Sequence, residues 1–206
     1  MYLPKQFNHP EHARSIILEN PFASLVSNDD EGFPFISHIP IKLMPHATDA
    51  QQDMLLGHVA KGNPHAGFLY KRPQVLLTFM GPQAYMSPAV YPDLIRVPTW
   101  SYVAVHVKAE VRILEGEEAK DSLLKQLIAD HEPAYAQQWR GLPETYTHPM
   151  MNAIVAFEMK LLEVQTKVKL NQHRPESHAA MHAAYDAGNE SEKALALWMR
   201  RLGLVS

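Results

Sequence analysis

The stretch YVAVHVKAEVRIL, residues 102–114, constrains the fold most, because apolar and polar side chains alternate along it. A period of two places successive side chains on opposite faces of a strand. One face then consists of small and branched apolar residues, and the other carries polar and aromatic ones: Tyr102, His106, Lys108, Glu110 and Arg112. The pattern predicts a long strand with one buried face.

Five further segments have strand character, and helical segments lie around them. We predict strands at 22–27, 33–43, 53–59, 74–81 and 154–170, and helices at 10–19, 64–70, 117–130, 176–186 and 190–202. No Gly-rich dinucleotide fingerprint follows a strand, and no Walker-type loop is present. The sequence therefore predicts a mainly β, α+β fold, in which a six-stranded antiparallel barrel is surrounded by peripheral helices.

Charge and composition exclude several function classes. The chain has no cysteine, so disulfides, thiolate zinc sites and thiol catalysis are ruled out. The formal net charge of −3 gives no bulk attraction to nucleic acid or membranes. Because the N-terminal residues lack an apolar core and no run of about 18 apolar residues occurs, we expect a cytoplasmic protein without membrane contact.

The turn GHVAKGNPH, residues 57–65, collects groups that suit a phosphate. His58, Lys61, Gly62 and Asn63 precede a helix that is predicted to begin at Pro64. Helix starts and basic side chains stabilise anions, and glycine lets a ligand approach the backbone. Glycine, asparagine and proline are equally typical of an ordinary tight turn, so both interpretations stay open here.

Two later segments have a similar ambiguity. Residues 79–107 are rich in aromatic residues and prolines, which suits either a planar ligand or a loop folded onto the core or a dimer contact. In residues 165–174, QTKVKLNQHR, Lys167 and Lys169 share a strand face and Arg174 follows. This basic strand could meet a phosphate or an acidic partner, or form a solvated edge that discourages aggregation.

Catalytic and metal motifs are missing from the sequence. His9 and His12, and likewise His178 and His182, have spacings that permit metal binding on a helix face, but neither pair has an evident third ligand. We therefore predict no metal site. No Ser-His-Asp arrangement, GxSxG elbow or HExxH helix occurs, so the catalytic residues are unknown and the sequence leaves open whether the chain is an enzyme.

Taken in order, five segments resemble the PaiB-like FMN-binding negative transcriptional regulators: MYLPKQF, LLGHVAKGNPH, FMGPQAYMSPAVY, VPTWSYVAVHV and IVAFEMKLLEVQTKVKLNQHRP. The resemblance implies a split β-barrel of the FMN-binding type, related to the pyridoxamine-phosphate-oxidase-like flavoproteins. It also implies FMN as cofactor and a homodimer with the flavin cleft at the subunit interface. We expect residues 1–174 to form this domain with its N-terminal helix, and residues 175–206 to form a helical extension packed on the barrel.

The resemblance also implies roles for particular residues. The FMN phosphate maps to His58, Lys61 and Asn63, with Gly62 in the same turn. The remaining predicted positions surround the flavin ring or order its cleft: Tyr85 and Ser87 beside the ring, Trp100 and Tyr102 closing the cleft, and Lys169, Gln172 and Arg174 in the final motif.

Three functions are compatible with these features. The first is an FMN-binding negative regulator of gene expression, whose partner is DNA, through the basic strand, or a regulatory protein. The second is an FMN-dependent oxidoreductase that reduces flavin or a small acceptor; a haem-binding or haem-degrading barrel is a weaker variant. The third is a barrel that has lost its ligand and serves as a dimeric interaction protein.

Overall fold

A single sheet of seven strands organises the computed structural model, which describes residues 1–93 and 95–206. The strands are β1 (Phe22–Asn28), β2 (Pro34–Pro40), β3 (Lys42–Met44), β4 (Met54–Ala60), β5 (Gln74–Met86), β6 (Thr99–Leu114) and β7 (Ile154–Lys169). Their order in the sheet is β2-β1-β5-β6-β7-β4-β3. The pairs β1–β2, β1–β5, β3–β4 and β4–β7 are antiparallel, with Ser24 opposite His38 and His58 opposite Ala156.

The prediction of six strands is wrong, because the segment 33–43 forms two strands. The chain leaves β2 at Pro40 and enters β3 at Lys42, and the Ile41 amide between them donates to the carbonyl of Pro21 (2.9 Å). β2 pairs with β1 at one end of the sheet order, whereas β3 pairs with β4 at the other end. The chain therefore passes from one end of the sheet order to the other within a single residue, Ile41.

The helices lie between and after the strands. They are α1 (Ala13–Glu19), α2 (Pro64–Lys71), α3 (Glu117–His131), α4 (Tyr135–Gly141), α5 (Glu144–Asn152), α6 (His178–Asp186) and α7 (Glu190–Arg201). Short 3-10 helices occur at Lys5–Phe7, Pro10–His12, Ala50–Gln52, Pro88–Val90 and Pro175–Ser177. α4 and α5 have no counterpart among the predicted helices. No helix in the described ranges is long and apolar enough to cross a membrane.

The chain divides into two compact units. Unit A comprises residues 1–20, 80–106 and 165–206, and unit B comprises residues 21–79 and 107–164. The strands β5, β6 and β7 each supply residues to both units. The predicted helical extension at 175–206 contributes α6 and α7 to unit A, and the domain boundary at residue 174 stays a prediction.

Burial follows the predicted alternation on β6. Val103, Val105, Val107, Ala109 and Val111 are all buried, as the period of two requires. β5 continues through Gly81 and Pro82 to Met86, five residues beyond the end of the predicted strand 74–81. A Cβ at Gly81 would lie 3.2 Å from the Cβ of Val103, so glycine here permits a close approach to β6.

Candidate functional site

The turn between β4 and α2 in unit B is built around Asn63, which caps the helix. Its Oδ1 accepts from the amide of His65 (2.9 Å), and its Nδ2 donates to the hydroxyl of Ser37 (3.0 Å). Both polar ends of the Asn63 side chain are therefore engaged within the protein. Asn63 therefore shapes the turn, and any hydrogen bonds to a phosphate would come from other residues of the turn.

Most backbone amides of the turn are also engaged. The Lys61 amide donates to the carbonyl of Ala153 (2.7 Å), and the Asn63 amide donates to that of Ala60 (2.9 Å). Pro64 has no N–H, and the next two amides of α2 donate to Asn63. In the described part of the chain, the Gly62 amide is left without a partner, and the exposed Lys61 ammonium has no carboxylate partner.

His58 lies half-buried on β4, close to the start of this turn. Its Nδ1 is buried and has no hydrogen-bond partner among the described residues. Burial lowers the pKa of the imidazole, so the ring is neutral at neutral pH and one nitrogen carries a proton to donate. An unsatisfied buried nitrogen of this kind is uncommon in folded proteins, and a ligand or a water molecule would satisfy it.

A buried polar network supports the turn from behind. The ring of His65 is fully buried, with Nε2 at 2.9 Å from the hydroxyl of Ser27 and Nδ1 at 2.9 Å from that of Ser37. Ser37 in turn accepts from Asn63. Burial lowers the pKa of His65, which keeps the ring neutral between the two serines. The network ties β1 and β2 to the cap of α2.

Unit A contains a separate cavity of about 770 Å³. Its described lining combines aromatic and apolar side chains with three cations and two amides: Tyr2, Pro4, Gln6, Phe7, Met86, Tyr91, Ile95, Arg96, Val97, Thr99, Trp100, Ser101, Lys169, Asn171, His173 and Arg174. No carboxylate is among these described lining residues. The volume falls within the range of about 300–1,000 Å³ that is usual for small-molecule sites.

Two lysines on one face of β7 lie near the ring of Tyr102. The Lys169 ammonium donates to the hydroxyl of Thr99 (2.5 Å), and that of Lys167 donates to the carbonyl of Tyr2 (2.9 Å). The two nitrogens lie 5.9 and 5.2 Å from the centre of the Tyr102 ring. Burial, and then the charge of Lys167, lower the pKa of Lys169. Neither lysine has a carboxylate partner in the described residues.

The two arginines of the cavity share an acidic partner. Arg96 pairs with Asp93 (2.8 Å) and Glu176 (3.4 Å), and its guanidinium lies 4.8 Å from the centre of the Tyr91 ring. Its Nε is buried and has no hydrogen-bond partner among the described residues. Arg174 pairs with Glu176 at 4.0 Å. Positive charge therefore exceeds negative charge around the cavity.

Asn171 and Gln172 shape the chain where β7 ends. Asn171 adopts a positive φ of 62°, which asparagine tolerates better than most residues, and its Nδ2 donates to the hydroxyls of Tyr91 (2.9 Å) and Ser177 (2.7 Å). Gln172 donates to the carbonyl of Val168 (2.6 Å) and accepts from the amide of Leu170 (2.9 Å). Both side chains hold the backbone of the final motif in place.

The other residues that were predicted to surround the flavin ring also belong to unit A. Trp100 and Tyr85 pack edge to face, with ring centres 6.4 Å apart, and both are about half exposed (53% and 51%). Ser87 accepts from the amide of Ala89 (3.1 Å) and so caps the short helix Pro88–Val90. Trp100, like Lys169 and Arg174, lines the cavity.

The predicted site residues thus form two groups. His58 on β4 and Lys61, Gly62 and Asn63 in the turn that follows belong to unit B. The seven residues predicted to surround the flavin ring or to order its cleft belong to unit A. Sequence reasoning missed Arg96, Thr99 and Tyr2 as lining residues. Arg96 was visible as the one lysine or arginine of the aromatic, Pro-rich stretch 79–107, whereas nothing local marked Thr99 or Tyr2.

The basic strand and the His9–His12 pair differ from their predictions. Lys167 is only 7% exposed, so the interpretation of residues 165–174 as a solvated edge strand is wrong. Glu11 supplies the third metal-ligand type that the sequence appeared to lack, with Oε1 3.0 Å from His9 Nδ1. However, Gln172 is held by the backbone and directs its Nε2 towards His9 Nε2 (3.3 Å), which leaves the Nδ1 proton for Glu11. Hydrogen bonding alone accounts for this cluster.

Comparison with known proteins shows the family to which the chain belongs. Residues 1–163 match the family model described as "Putative FMN-binding domain". Over 186 residues the chain is 31% identical to the Protease synthase and sporulation protein PAI 2 of Bacillus subtilis, a match that covers 86% of this chain and 84% of that protein.

Two solved structures share the fold at low identity. The flavocytochrome Anf3 from Azotobacter vinelandii has a TM-score of 0.59 at 14% identity, covering 80% of this chain and 69% of that one. The FAD and heme binding protein from Mycobacterium smegmatis has a TM-score of 0.59 at 15% identity, covering 79% and 72%. The family model and the Bacillus relative carry the assignment: the chain belongs to the PaiB-like family of FMN-binding proteins.

Proposed function

We propose that this chain binds FMN through the β4–α2 turn and acts as a negative regulator of gene expression of the PaiB type. Family membership supports the cofactor. The single observation that carries the binding site is the exposed Lys61 ammonium, which has no carboxylate partner among the described residues and lies next in sequence to the unpaired Gly62 amide. A phosphate would satisfy both donors.

The turn fits a phosphate in three further respects. A Cβ at Gly62 would meet nothing within 4 Å, so the space beside this amide is open to a ligand. His58 offers a buried Nδ1 without a described partner. The positive end of α2, an eight-residue helix, favours an anion even though its first amides are engaged. In this proposal Asn63 positions the turn through its cap and leaves direct contact to Lys61, Gly62 and His58.

FMN, when bound, supplies the electron-transfer chemistry of its ring, and the chain's residues bind and orient it. We also propose that seven residues of unit A surround the flavin ring or order its cleft: Tyr85, Ser87, Trp100, Tyr102, Lys169, Gln172 and Arg174. Trp100 is supported by its exposed indole, and Lys169 and Arg174 by their charge. Ser87 and Gln172 would act indirectly, because their side chains hold backbone segments.

We also propose a homodimer with the flavin cleft at its interface. The support is the half-exposed aromatic pair Tyr85 and Trp100, since large exposed aromatic side chains are typical of protein interfaces. As partner in regulation we favour a protein over DNA, because Lys167 is buried and Lys169 is bonded to Thr99, which leaves little of the basic strand for DNA phosphates. The predicted cytoplasmic location belongs to the same proposal.

An absorption spectrum tests the cofactor proposal. The purified protein is mixed with FMN, freed of excess by gel filtration, and scanned for flavin bands. We expect retained flavin in the unmodified chain and in Lys160→Met, an exposed lysine on β7, but much less in Lys61→Met. Absence of flavin from all three, or equal retention in all three, contradicts the proposed site.

A further inference from the structure

The cavity of unit A has an imbalance of charge that the proposed function leaves unexplained. Three cations line it, from Arg96, Lys169 and Arg174. Among the residues that the structure describes, Asp93 and Glu176 are the carboxylates that pair with any of them. Lys167, 7% exposed, adds a fourth positive charge beside Tyr102. Burying unpaired charge is unfavourable, so a site of this kind is stabilised when an anion joins it.

Lys169 is the cation that is most available to a ligand. Its neighbour Thr99 supplies a hydroxyl but no charge, and the second lysine two residues away repels it. Arg96 is held by two carboxylates, and Arg174 is exposed at the margin. An anionic group entering the cavity would therefore gain most from the Lys169 ammonium, with the unpartnered buried Nε of Arg96 as a further donor.

The walls of the cavity indicate the rest of the ligand. Trp100, Tyr91 and Phe7 present aromatic surface, and Ile95 and Val97 add exposed aliphatic surface. Flat apolar walls favour a planar ring, because stacked and edge-to-face contacts both need one. About 770 Å³ is more than enough for one substituted ring.

We propose that this cavity binds a small aromatic carboxylate, with its carboxylate on the Lys169 ammonium and its ring against Trp100. The ligand is distinct from FMN and would serve the protein as effector or substrate. The inference rests on the proposed function, because Trp100, Lys169 and Arg174 of this cavity are also proposed to lie near the flavin ring, and the carboxylate would then bind beside that ring. Its binding is therefore measured both with and without FMN.

Calorimetric titration with benzoate tests the proposal, and benzamide serves as the neutral ligand of the same shape. Both are titrated into the protein with and without FMN. We expect benzoate to bind about tenfold or more tightly than benzamide, because a charge-assisted contact exceeds a neutral one by about that factor. Lys169→Met should remove this preference, Lys169→Arg should keep it, and Lys160→Met should leave it unchanged.

Arg174→Gln gives a second test that does not depend on a buried side chain, since Arg174 is exposed. We expect it to weaken benzoate severalfold while thermal stability stays unchanged. Equal affinity for benzoate and benzamide, or no benzoate binding at all, overturns the proposal. So does displacement of benzoate by FMN mole for mole, with Lys169→Met losing both, because the cavity would then belong to FMN. Loss of FMN in Lys61→Met with benzoate binding intact supports the two sites as separate.

Discussion

The side-chain amide of Asn63 donates a 3.0 Å hydrogen bond to the hydroxyl of Ser37. The same side chain caps α2 through its oxygen. Strand β2, which contains Ser37, and the first turn of α2 are thus joined at one residue, two positions after Lys61. The geometry of the proposed phosphate turn therefore depends on Asn63 even without contact between Asn63 and the ligand.

Asn63→Ala should lower both stability and FMN affinity. Loss of the cap should reduce the free energy of unfolding by about 1–2 kcal/mol, and the loosened turn should weaken FMN severalfold. Urea unfolding and flavin fluorescence titration measure the two effects. Asn189→Ala is the matched control, because Asn189 caps α7 with its side chain in the same way. It should reduce stability by a similar amount with no change in FMN affinity; equal effects of both variants on FMN would refute the role of Asn63.

Stability should fall as the pH drops below about 6.5, the pKa of histidine in an unfolded chain. Burial lowers the pKa of His65 in the folded state, so the unfolded chain takes up a proton first as the pH falls. The stabilisation is present above about pH 6.5 and is lost at lower pH. His58, His106, His12 and His173 have pKa values shifted in the same direction and add to the effect.

His65→Gln should flatten this pH dependence, because it removes one of the buried rings. The measurement is the urea midpoint of unfolding at a series of pH values between 5 and 8. His38→Gln is the control, since His38 is exposed and bonded only to the hydroxyl of Ser24. A His65→Gln profile as steep as that of the unmodified chain would show that His65 contributes nothing to it.

Replacing either of two glycines in unit B by alanine should change the free energy of unfolding in opposite directions. At Gly57 a Cβ would lie 2.8 Å from Ile41 Cδ1 and 3.1 Å from the Phe157 ring, and both side chains are in the core. Gly57→Ala should therefore lower the free energy of unfolding by about 1–3 kcal/mol. A Cβ at Gly67, inside α2, would meet nothing within 4 Å. Gly67→Ala should therefore raise the free energy of unfolding by about 0.5–1 kcal/mol. Thermal unfolding of both variants checks the pair, and a stable Gly57→Ala protein would contradict the close packing of β4.

The proposed dimer depends on exposed aromatic side chains. Light scattering coupled to gel filtration should give twice the mass of one chain for the unmodified protein. Tyr85→Glu and Trp100→Glu should give monomers, because a buried carboxylate without a partner is unfavourable at an interface. Leu197→Glu, an exposed apolar residue on α7, should leave the dimer intact. A monomeric unmodified chain would contradict the proposal.

The spacing of apolar residues predicted many of the regular elements. The alternation in β6 and the helix at 190–202, observed as Glu190–Arg201, are both confirmed. The break at Ile41 escaped prediction because a single residue, apolar like its neighbours, separates the two strands. What redirects the chain is the distant carbonyl of Pro21, and no local pattern reports such a contact.

The chemistry of the candidate site was harder to predict for the same reason. Sequence reasoning grouped Lys167 and Lys169 on one strand face correctly. It could not predict that Lys167 is buried and donates to the carbonyl of Tyr2, which lies at the other end of the chain. Likewise, Asn63 suggested a phosphate ligand by type, but its two hydrogen bonds arise from tertiary contacts.

The most direct test of the account compares FMN with riboflavin, which lacks the phosphate, by fluorescence titration of the unmodified chain and Lys61→Met. If Lys61 meets the phosphate, the substitution should weaken FMN about tenfold or more, as expected for a charge-assisted contact, and leave riboflavin unchanged. Equal loss of both ligands, or no loss of either, would contradict a phosphate site at the β4–α2 turn.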